Sequence, residues 1–173
     1  MLTLVIGGAG SGKSAFAEKL VCGLSGERIY LATMETESPE SAERIAKHRK
    51  QRSGLGFRTV ERCKHLAALQ IPENGNVLLE DLSNLLANEL FAPDGGGTEA
   101  VCRGLRSLSD QSAHLTVVTN EIFSDGTALT GETEHYVKEL ALLNRKLAGR
   151  ADLVVEVVCG LPNLLKGDLP WMS

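Results

Sequence analysis

The sequence has few aromatic residues and no long apolar segment. Phenylalanine, tyrosine and tryptophan make up 4% of the 173 residues, too little for a platform on which nucleic-acid bases stack. Glu156 interrupts the apolar run from Leu153 to Leu161, and no run approaches the length of a membrane-spanning helix. The formal net charge of −4 disfavours a nucleic-acid or anionic-membrane surface. We therefore expect neither a nucleic-acid partner nor a membrane span.

The chain also has no C-x-x-C pair, and we expect no signal peptide. Its four cysteines are widely spaced, and buried free thiols explain them better than disulfides or a zinc site. The N-terminus continues directly into an apolar run, without the basic segment and cleavage site of a secretory signal. These absences favour a cytoplasmic protein. We expect one domain over residues 1–167, followed by a tail, residues 168–173, to which no role is assigned.

What the sequence does contain is a complete phosphate-binding loop near its N-terminus. Residues 7–14 read GGAGSGKS, which fits the pattern G-x-x-x-x-G-K-[ST]. An apolar, β-branched run precedes the loop and a helical pattern follows it, as expected where a helix N-terminus binds phosphate. In such a loop Lys13 reaches the terminal phosphates, and the hydroxyl of Ser14 can bind Mg²⁺. The pattern predicts a nucleotide site, against the alternative of a glycine-rich turn that matches by chance.

Strand-like runs alternate with helical patterns along the rest of the chain. Further strands are predicted at residues 28–33, 57–61, 77–81, 115–120 and 153–158, and an amphipathic helix at residues 132–149. This alternation predicts an α/β fold with a mostly parallel central sheet and helices on both faces. Ligands of such sheets bind beyond the carboxyl ends of the strands. The polar residues at those ends are Thr33, Glu80, Asp81, Asn120 and Glu121.

Glu80 and Asp81 end one of the apolar strands, where nucleoside-triphosphate enzymes hold a carboxylate for Mg²⁺. Neighbouring strand residues point to opposite faces, so the two carboxylates are not expected to share one role. The alternative is that one of them caps the helix predicted at residues 83–90. We predict that at least one contacts the metal or the nucleotide, and we assign Mg²⁺ to Ser14 and Asp81.

His48 lies in a basic segment at the end of a predicted helix. On a solvated face such a segment would only complement the helix dipole. In a P-loop protein the same cations can bind phosphates, and a neutral histidine, which neighbouring positive charge favours, can act as a nucleophile. The other histidines are expected to be structural or exposed: His65 within a helix, His114 before a strand and His135 on the polar side of the long helix.

Several segments, in order along the chain, resemble those of one enzyme family. They are GGAGSGKS at residues 7–14, YLAT at 30–33, RIAKHRKQR at 44–52, RTVE at 58–61, LLEDLS at 78–83 and VTNE at 118–121. Together they are similar to the bifunctional adenosylcobinamide kinase/adenosylcobinamide-phosphate guanylyltransferases of cobalamin biosynthesis. The R-I-x-x-H segment after Y-L-A-T is the specific part of the pattern, and the similarity covers residues 1 to about 167.

The resemblance implies a RecA-like P-loop NTPase fold and a homotrimer. It also implies Mg²⁺ as the cofactor, GTP and ATP as substrates, and two reactions. In the first, a nucleoside triphosphate phosphorylates the aminopropanol arm of adenosylcobinamide. In the second, a histidine attacks the α-phosphorus of GTP, releases pyrophosphate and passes GMP to adenosylcobinamide-phosphate, which gives adenosylcobinamide-GDP. The implied catalytic residues are His48 and Lys13. The implied nucleotide contacts are Gly7, Gly8, Ala9, Gly10, Ser11, Gly12, Lys13, Ser14, Ala32, Thr33, Met34, Arg49, Lys50, Gln51, Arg52, Glu61 and Glu80.

The sequence also departs from the family pattern. Gly10 stands where members often have an arginine in the phosphate loop. Residues 122–130 replace a G-x-G-I-V-P segment, and residues 136–139 lack the arginines that accompany it. These changes keep open the alternative of a P-loop small-molecule kinase without guanylyl transfer. A regulatory GTPase-like binding protein is the other alternative, although the guanine-reading N-K-x-D segment is missing.

Overall fold

A seven-stranded sheet flanked by helices forms the part of the protein that the computed structural model describes, residues 1–35, 54–122 and 130–168. The strands are β1 (Leu2–Gly7), β2 (Arg28–Ala32), β3 (Phe57–Glu61), β4 (Asn76–Glu80), β5 (His114–Asn120), β6 (Leu153–Val158) and β7 (Leu161–Lys166). The helices are α1 (Lys13–Cys22), α2 (Leu82–Phe91), α3 (Gly97–Gln111) and α4 (Gly131–Arg150), with a 3-10 turn at Leu66–Ala68. Among these described helices, none has the length and apolar character needed to cross a membrane.

The strand order is β3-β2-β4-β5-β1-β6-β7, and all neighbouring strands are parallel except β6 and β7. The carboxyl ends of six strands therefore meet at one edge of the sheet. There β5 separates β1, which leads into the phosphate loop, from β4, which ends at Glu80. This arrangement confirms the predicted α/β, RecA-like P-loop NTPase fold class and places the polar strand ends together.

Buried side chains alternate between the two faces of the sheet. On one face Leu4, Leu31 and Leu79 pack against α2, α3 and α4. On the other face Val5 and Leu78 pack against α1. The buried residues of α4 are Leu140, Leu143, Asn144 and Leu147, and the three leucines form the apolar face of the amphipathic helix predicted at residues 132–149. Helices thus cover both faces of the central strands, which are apolar on both sides.

The antiparallel strand β7 is absent from the sequence prediction. Every residue of β7 is exposed, so the alternation of buried and exposed side chains that reveals a strand does not arise. Pro162 also disfavours a strand, although an edge strand accepts proline where no hydrogen bond is needed. A tight turn makes the pairing possible, since Cys159 and Gly160 both have left-handed backbone angles, with φ of 51° and 79°.

The prediction that His65 lies within a helix is wrong. It precedes the short 3-10 turn with φ of 55°, in the left-handed region that ends regular helical structure. Its backbone N–H donates to Oε1 of the buried Glu89, at 2.6 Å. Glu89 also accepts from the backbone N–H of Gly96, at 2.8 Å. This carboxylate fixes two loops that local sequence patterns cannot relate, because the three residues lie on separate segments.

The cysteines are all free, as expected, but they are less buried than predicted. Cys22, Cys63 and Cys102 are half-buried, and Cys159 is exposed in the turn between β6 and β7. The expectation of burial failed for Cys159 because its apolar neighbours in sequence belong to an edge hairpin rather than to the core.

His114 is buried at the amino-terminal edge of the sheet, where Nε2 lies 2.8 Å from the hydroxyl of Thr3. Burial, followed by the charge of the N-terminal amine, lowers the pKa of His114 below its ordinary value of 6.5, and Asp152 partly opposes this.

Because the pKa of His114 is lower in the folded protein, the unfolded chain binds this proton at higher pH than the folded protein. The free energy of unfolding is expected to fall as the pH drops through about 6.5. Urea unfolding at pH values from about 7.5 to about 5 should show a smaller fall for His114→Gln, and equal slopes would contradict this assignment.

Candidate nucleotide site

The phosphate loop lies between β1 and α1, at the carboxyl edge of the sheet. Gly10 and Gly12 have φ of 70° and 89°, which residues with a side chain rarely adopt. Lys13 is buried, and its Nζ donates to the backbone oxygen of Gly8 at 3.2 Å. The ammonium group of Lys13 therefore lies against the loop, and the first residues of α1 line the same cavity as the loop. This geometry fits the terminal phosphates of a nucleotide.

The turn between β6 and β7 packs directly against this loop. The N–H of Gly160 donates to the backbone oxygen of Ser11 at 2.7 Å. A Cβ atom on Gly12 would lie 3.2 Å from the Cα of Gly160, and one on Gly7 would lie 2.6 Å from the oxygen of Val157. The loop thus depends on a hairpin that begins about 145 residues later, a support that the sequence pattern does not reveal.

Glu80 extends from the end of β4 to the phosphate loop. Its Oε1 accepts a hydrogen bond from the hydroxyl of Ser14 at 2.5 Å. Burial raises the pKa of Glu80 to about 7, with a smaller contribution from the charge of Asp81, while Ser14 and Lys13 oppose the rise. The second carboxylate oxygen, Oε2, is buried and has no hydrogen-bond partner among the described residues. Such an orphaned acceptor beside a phosphate loop is suited to a cation or its bound water.

Unlike Glu80, Asp81 caps a helix and does not hydrogen-bond to the phosphate loop among the described residues. Its Oδ1 accepts from the backbone N–H of Asn84 at 2.8 Å and caps α2, and its Oδ2 accepts from Nδ2 of Asn120 at 3.2 Å. The cap that the sequence offers as an alternative is therefore formed by Asp81, whereas Glu80 faces Ser14. Of the two carboxylates, Glu80 is better placed than Asp81 for the Mg²⁺ site that we assigned to Asp81 with Ser14.

The oxygen atoms of Ser14 and Glu80 fit Mg²⁺, which retains several waters and usually takes one or two protein carboxylates or hydroxyls in addition to substrate phosphates. Within residues 1–35, 54–122 and 130–168, no cluster of three or more His, Cys, Asp or Glu side chains could hold a metal. The oxygen atoms of Ser14 and Glu80 can therefore form a Mg²⁺ site in which phosphate oxygens of a bound nucleotide supply further ligands.

A cavity of about 860 Å³ opens above the phosphate loop. It brings together residues that the sequence predicts at the nucleotide: most of the loop, Ala32, Met34, Glu80 and Asp81. Thr33 is instead buried beneath the cavity, where its hydroxyl donates to the backbone oxygen of Asp81 at 2.8 Å and ties β2 to β4. The remaining lining residues, which the sequence did not single out as nucleotide contacts, are Ala15, Glu18, Tyr30, Asn84, Asn120 and Ile122.

A second cleft, of about 480 Å³, adjoins this cavity and shares Met34 with it. Glu61, the predicted nucleotide contact at the end of β3, lies in its wall together with Glu35 and His65. Burial, followed by the charge of Glu35, raises the pKa of the Cys63 thiol in the same wall. The predicted nucleophile His48 and its neighbours Arg49, Lys50, Gln51 and Arg52 lie outside the described residues.

Two solved structures are similar to this chain in outline. One is the P4 protein from bacteriophage phi6 in complex with ADP, with 12% identity, a TM-score of 0.43 and coverage of 94% of this chain and 53% of that chain. The other is the RadB recombinase, with 15% identity, a TM-score of 0.48 and coverage of 90% and 73%.

Sequence comparison gives the more specific result. The bifunctional adenosylcobalamin biosynthesis protein CobP of Pseudomonas aeruginosa is 35% identical over 97% of this chain and 99% of its own length. The corresponding CobU proteins of Escherichia coli and Salmonella typhimurium are 35% and 31% identical, each over 93% of this chain and 97% of their own lengths. The model of one family, described as cobinamide kinase / cobinamide phosphate guanyltransferase, matches residues 3–165. The chain belongs to this cobinamide kinase / cobinamide phosphate guanyltransferase family.

Proposed function

We propose that this protein phosphorylates adenosylcobinamide and then transfers GMP from GTP to the phosphate that it has added. The observation that carries the proposal is the phosphate loop with Lys13 and Ser14 next to Glu80, in a chain that matches the family over residues 3–165. The loop, the buried ammonium and the carboxylate are the groups that phosphoryl transfer requires.

In the first reaction, the backbone N–H groups of residues 8–14 and the ammonium of Lys13 bind the phosphates of ATP or GTP and orient the γ-phosphate. The acceptor hydroxyl oxygen forms a bond to the γ-phosphorus, and the bond from that phosphorus to the bridging oxygen breaks. The nucleoside diphosphate leaves, and the hydroxyl proton is released to water. Ser14 and Glu80 are the residues that would hold Mg²⁺, which when bound neutralises charge on the phosphates.

In the second reaction, a ring nitrogen of His48 attacks the α-phosphorus of GTP, and pyrophosphate leaves. An oxygen of adenosylcobinamide-phosphate then attacks the same phosphorus, and the phosphorus–nitrogen bond breaks. The product is adenosylcobinamide-GDP, and the histidine is restored. The predicted nucleotide contacts Ala32, Met34 and Glu61 support this proposal by their place on the two adjoining cavities.

The assembly and the location of the protein are part of the proposal. We propose a single domain over residues 1–167, a homotrimer and a cytoplasmic location. One sheet that runs from residue 2 to residue 166 supports the single domain. The exposed edge strand β7, on which Leu161 is 71% and Leu165 57% exposed, supports assembly between copies. The mass in solution, compared with 18.5 kDa for one chain, tests the oligomeric state.

The proposed function is tested by incubating the wild-type protein with Mg²⁺, adenosylcobinamide and GTP that carries radioactive phosphorus at either the α or the γ position. We expect both labels in corrinoid products, and an acid-labile α-label on the protein when the corrinoid is omitted. A kinase without guanylyl transfer would pass on the γ-label alone. A GTPase would release the γ-label as free phosphate, and the absence of labelled corrinoid in both experiments would contradict the proposal.

A further inference from the structure

The nucleotide cavity has a wall that phosphate binding does not account for. Asn84 in the first turn of α2, Asn120 at the end of β5 and Ile122 beyond it line the same cavity as the phosphate loop. Because β5 lies between β1 and β4, Asn120 at the end of β5 is flanked by the ends of the two strands that lead to the phosphate loop and to Glu80. We call these three residues the amide wall. Its three side chains are uncharged, whereas the rest of the cavity lining includes the cation Lys13 and the carboxylates Glu18, Glu80 and Asp81.

The side chain of Asn120 is fixed in one orientation. Its Nδ2 donates to Oδ2 of Asp81 at 3.2 Å and to Oγ of Ser83 at 2.7 Å. A carboxylate only accepts hydrogen bonds, so the nitrogen and not the oxygen of this amide must face Asp81. The backbone oxygen of Asn120 accepts from Asn144 at 3.4 Å, which adds support from α4. Within the described ranges no group donates to Oδ1 of Asn120, so a hydrogen-bond acceptor is left for a ligand.

Asn84 complements this acceptor. Its backbone N–H caps α2 through Asp81, but its side-chain amide forms no hydrogen bond to another described residue and lines the cavity. The carboxylate of Asp81 accepts from the backbone N–H of Asn84 and from the side chain of Asn120, and both asparagines line the same cavity. The pair thus offers one fixed acceptor and one amide that can donate. Such a pair suits a hydroxyl group, which donates one hydrogen bond and accepts others, better than it suits a phosphate.

We propose that Asn84 and Asn120 form the subsite for the acceptor hydroxyl of the kinase reaction, and that Ile122 contacts the carbon chain that carries it. The ligand class is an alcohol on an uncharged arm. The hydroxyl donates to Oδ1 of Asn120 and accepts from Nδ2 of Asn84, and its remaining lone pair faces the γ-phosphate. This inference rests on the proposed function, because it assigns the position of the group that the kinase reaction phosphorylates.

Asn84→Ala in the full-length protein tests the subsite, since it removes the side-chain amide and leaves the backbone N–H that Asp81 accepts from. We expect the KM for adenosylcobinamide in the kinase reaction to rise about 10-fold, the effect of losing one hydrogen bond to a substrate. The KM for GTP and the α-label on the protein should stay within about 2-fold of wild type. Asn163→Ala is the matched control, because this asparagine lies on β7 and donates to Glu156.

The outcomes separate the subsite from the function on which it rests. Phosphorylation by the wild type with an unchanged corrinoid KM in Asn84→Ala would overturn the subsite alone. An equal rise in the KM for GTP would assign the amide wall to the nucleotide and would overturn it as well. Failure of the wild type to phosphorylate adenosylcobinamide would overturn the proposed function and the subsite together. Retention of the α-label by Asn84→Ala shows that the variant is folded.

Discussion

Replacing His48 with alanine is expected to remove the covalent label that α-labelled GTP leaves on the protein. The sequence places this histidine among cations, which favour its neutral, nucleophilic form and stabilise charge on the attacked phosphorus. Without the nucleophile, guanylyl transfer should fall by at least about 10³-fold. The kinase reaction should stay within about 3-fold of wild type, because it uses Lys13, Ser14 and Glu80 instead. Scintillation counting of the precipitated protein and chromatography of the corrinoid products measure the two reactions separately.

His65→Ala is the matched control for this experiment. His65 lines the cleft that adjoins the nucleotide cavity, is partly exposed, and lies 3.3 Å from the carboxylate of Asp94. It is therefore a second histidine that a bound GTP could reach. We expect His65→Ala to keep the α-label. A label that persists in His48→Ala but disappears in His65→Ala would transfer the role of nucleophile to His65. A label that persists in both variants would contradict a histidine intermediate at either position.

The sequence was sufficient to predict the core strands and α4, whereas α3, which also buries apolar side chains, was not predicted. The strands that lead to the nucleotide cavity are short apolar runs, and α4 shows its buried face in the spacing of its leucines. The edge strand β7 was not predicted, because a strand that is exposed on both sides shows no alternation of apolar and polar residues. Hydrophobic periodicity therefore indicates elements that pack against the core, and it carries no information on an exposed element such as β7.

The division of labour between Glu80 and Asp81 could not be predicted for a different reason. Adjacent strand residues point apart, which separates the two roles but does not say which residue takes which role. The outcome depends on where α2 begins, because its cap must be the residue that precedes Leu82. Asp81 meets that condition, and Glu80 is left to face Ser14. The sequence places Asn120 at the ligand-binding edge of the sheet, but it does not associate it with Asn84, which is 36 residues away.

Replacing Gly7 with alanine is expected to destabilise the protein by about 2 kcal/mol, because the site has no room for a methyl group. The added Cβ would lie 2.6 Å from the backbone oxygen of Val157 and 2.5 Å from Oγ of Ser11. The serine can rotate, but the carbonyl belongs to β6 and moves only with that strand. Because the turn that follows β6 supports the loop through Gly160, we also expect the affinity for GTP to fall about 10-fold. Urea unfolding and titration with GTP measure the two effects.

Gly8→Ala separates this collision from the general effect of removing a glycine. Neither Gly7 nor Gly8 has a left-handed backbone, and a Cβ on Gly8 meets no atom within 4 Å. In the protein without nucleotide, Gly8→Ala should leave the free energy of unfolding unchanged or raise it by up to about 1 kcal/mol, since alanine restricts the unfolded chain. The difference between the two variants then measures the contact between the phosphate loop and β6. Equal free energies of unfolding for the two variants would show that β6 can move to admit the methyl group without destabilising the protein. That result would contradict the proposal that the hairpin of β6 and β7 holds the loop in its phosphate-binding shape.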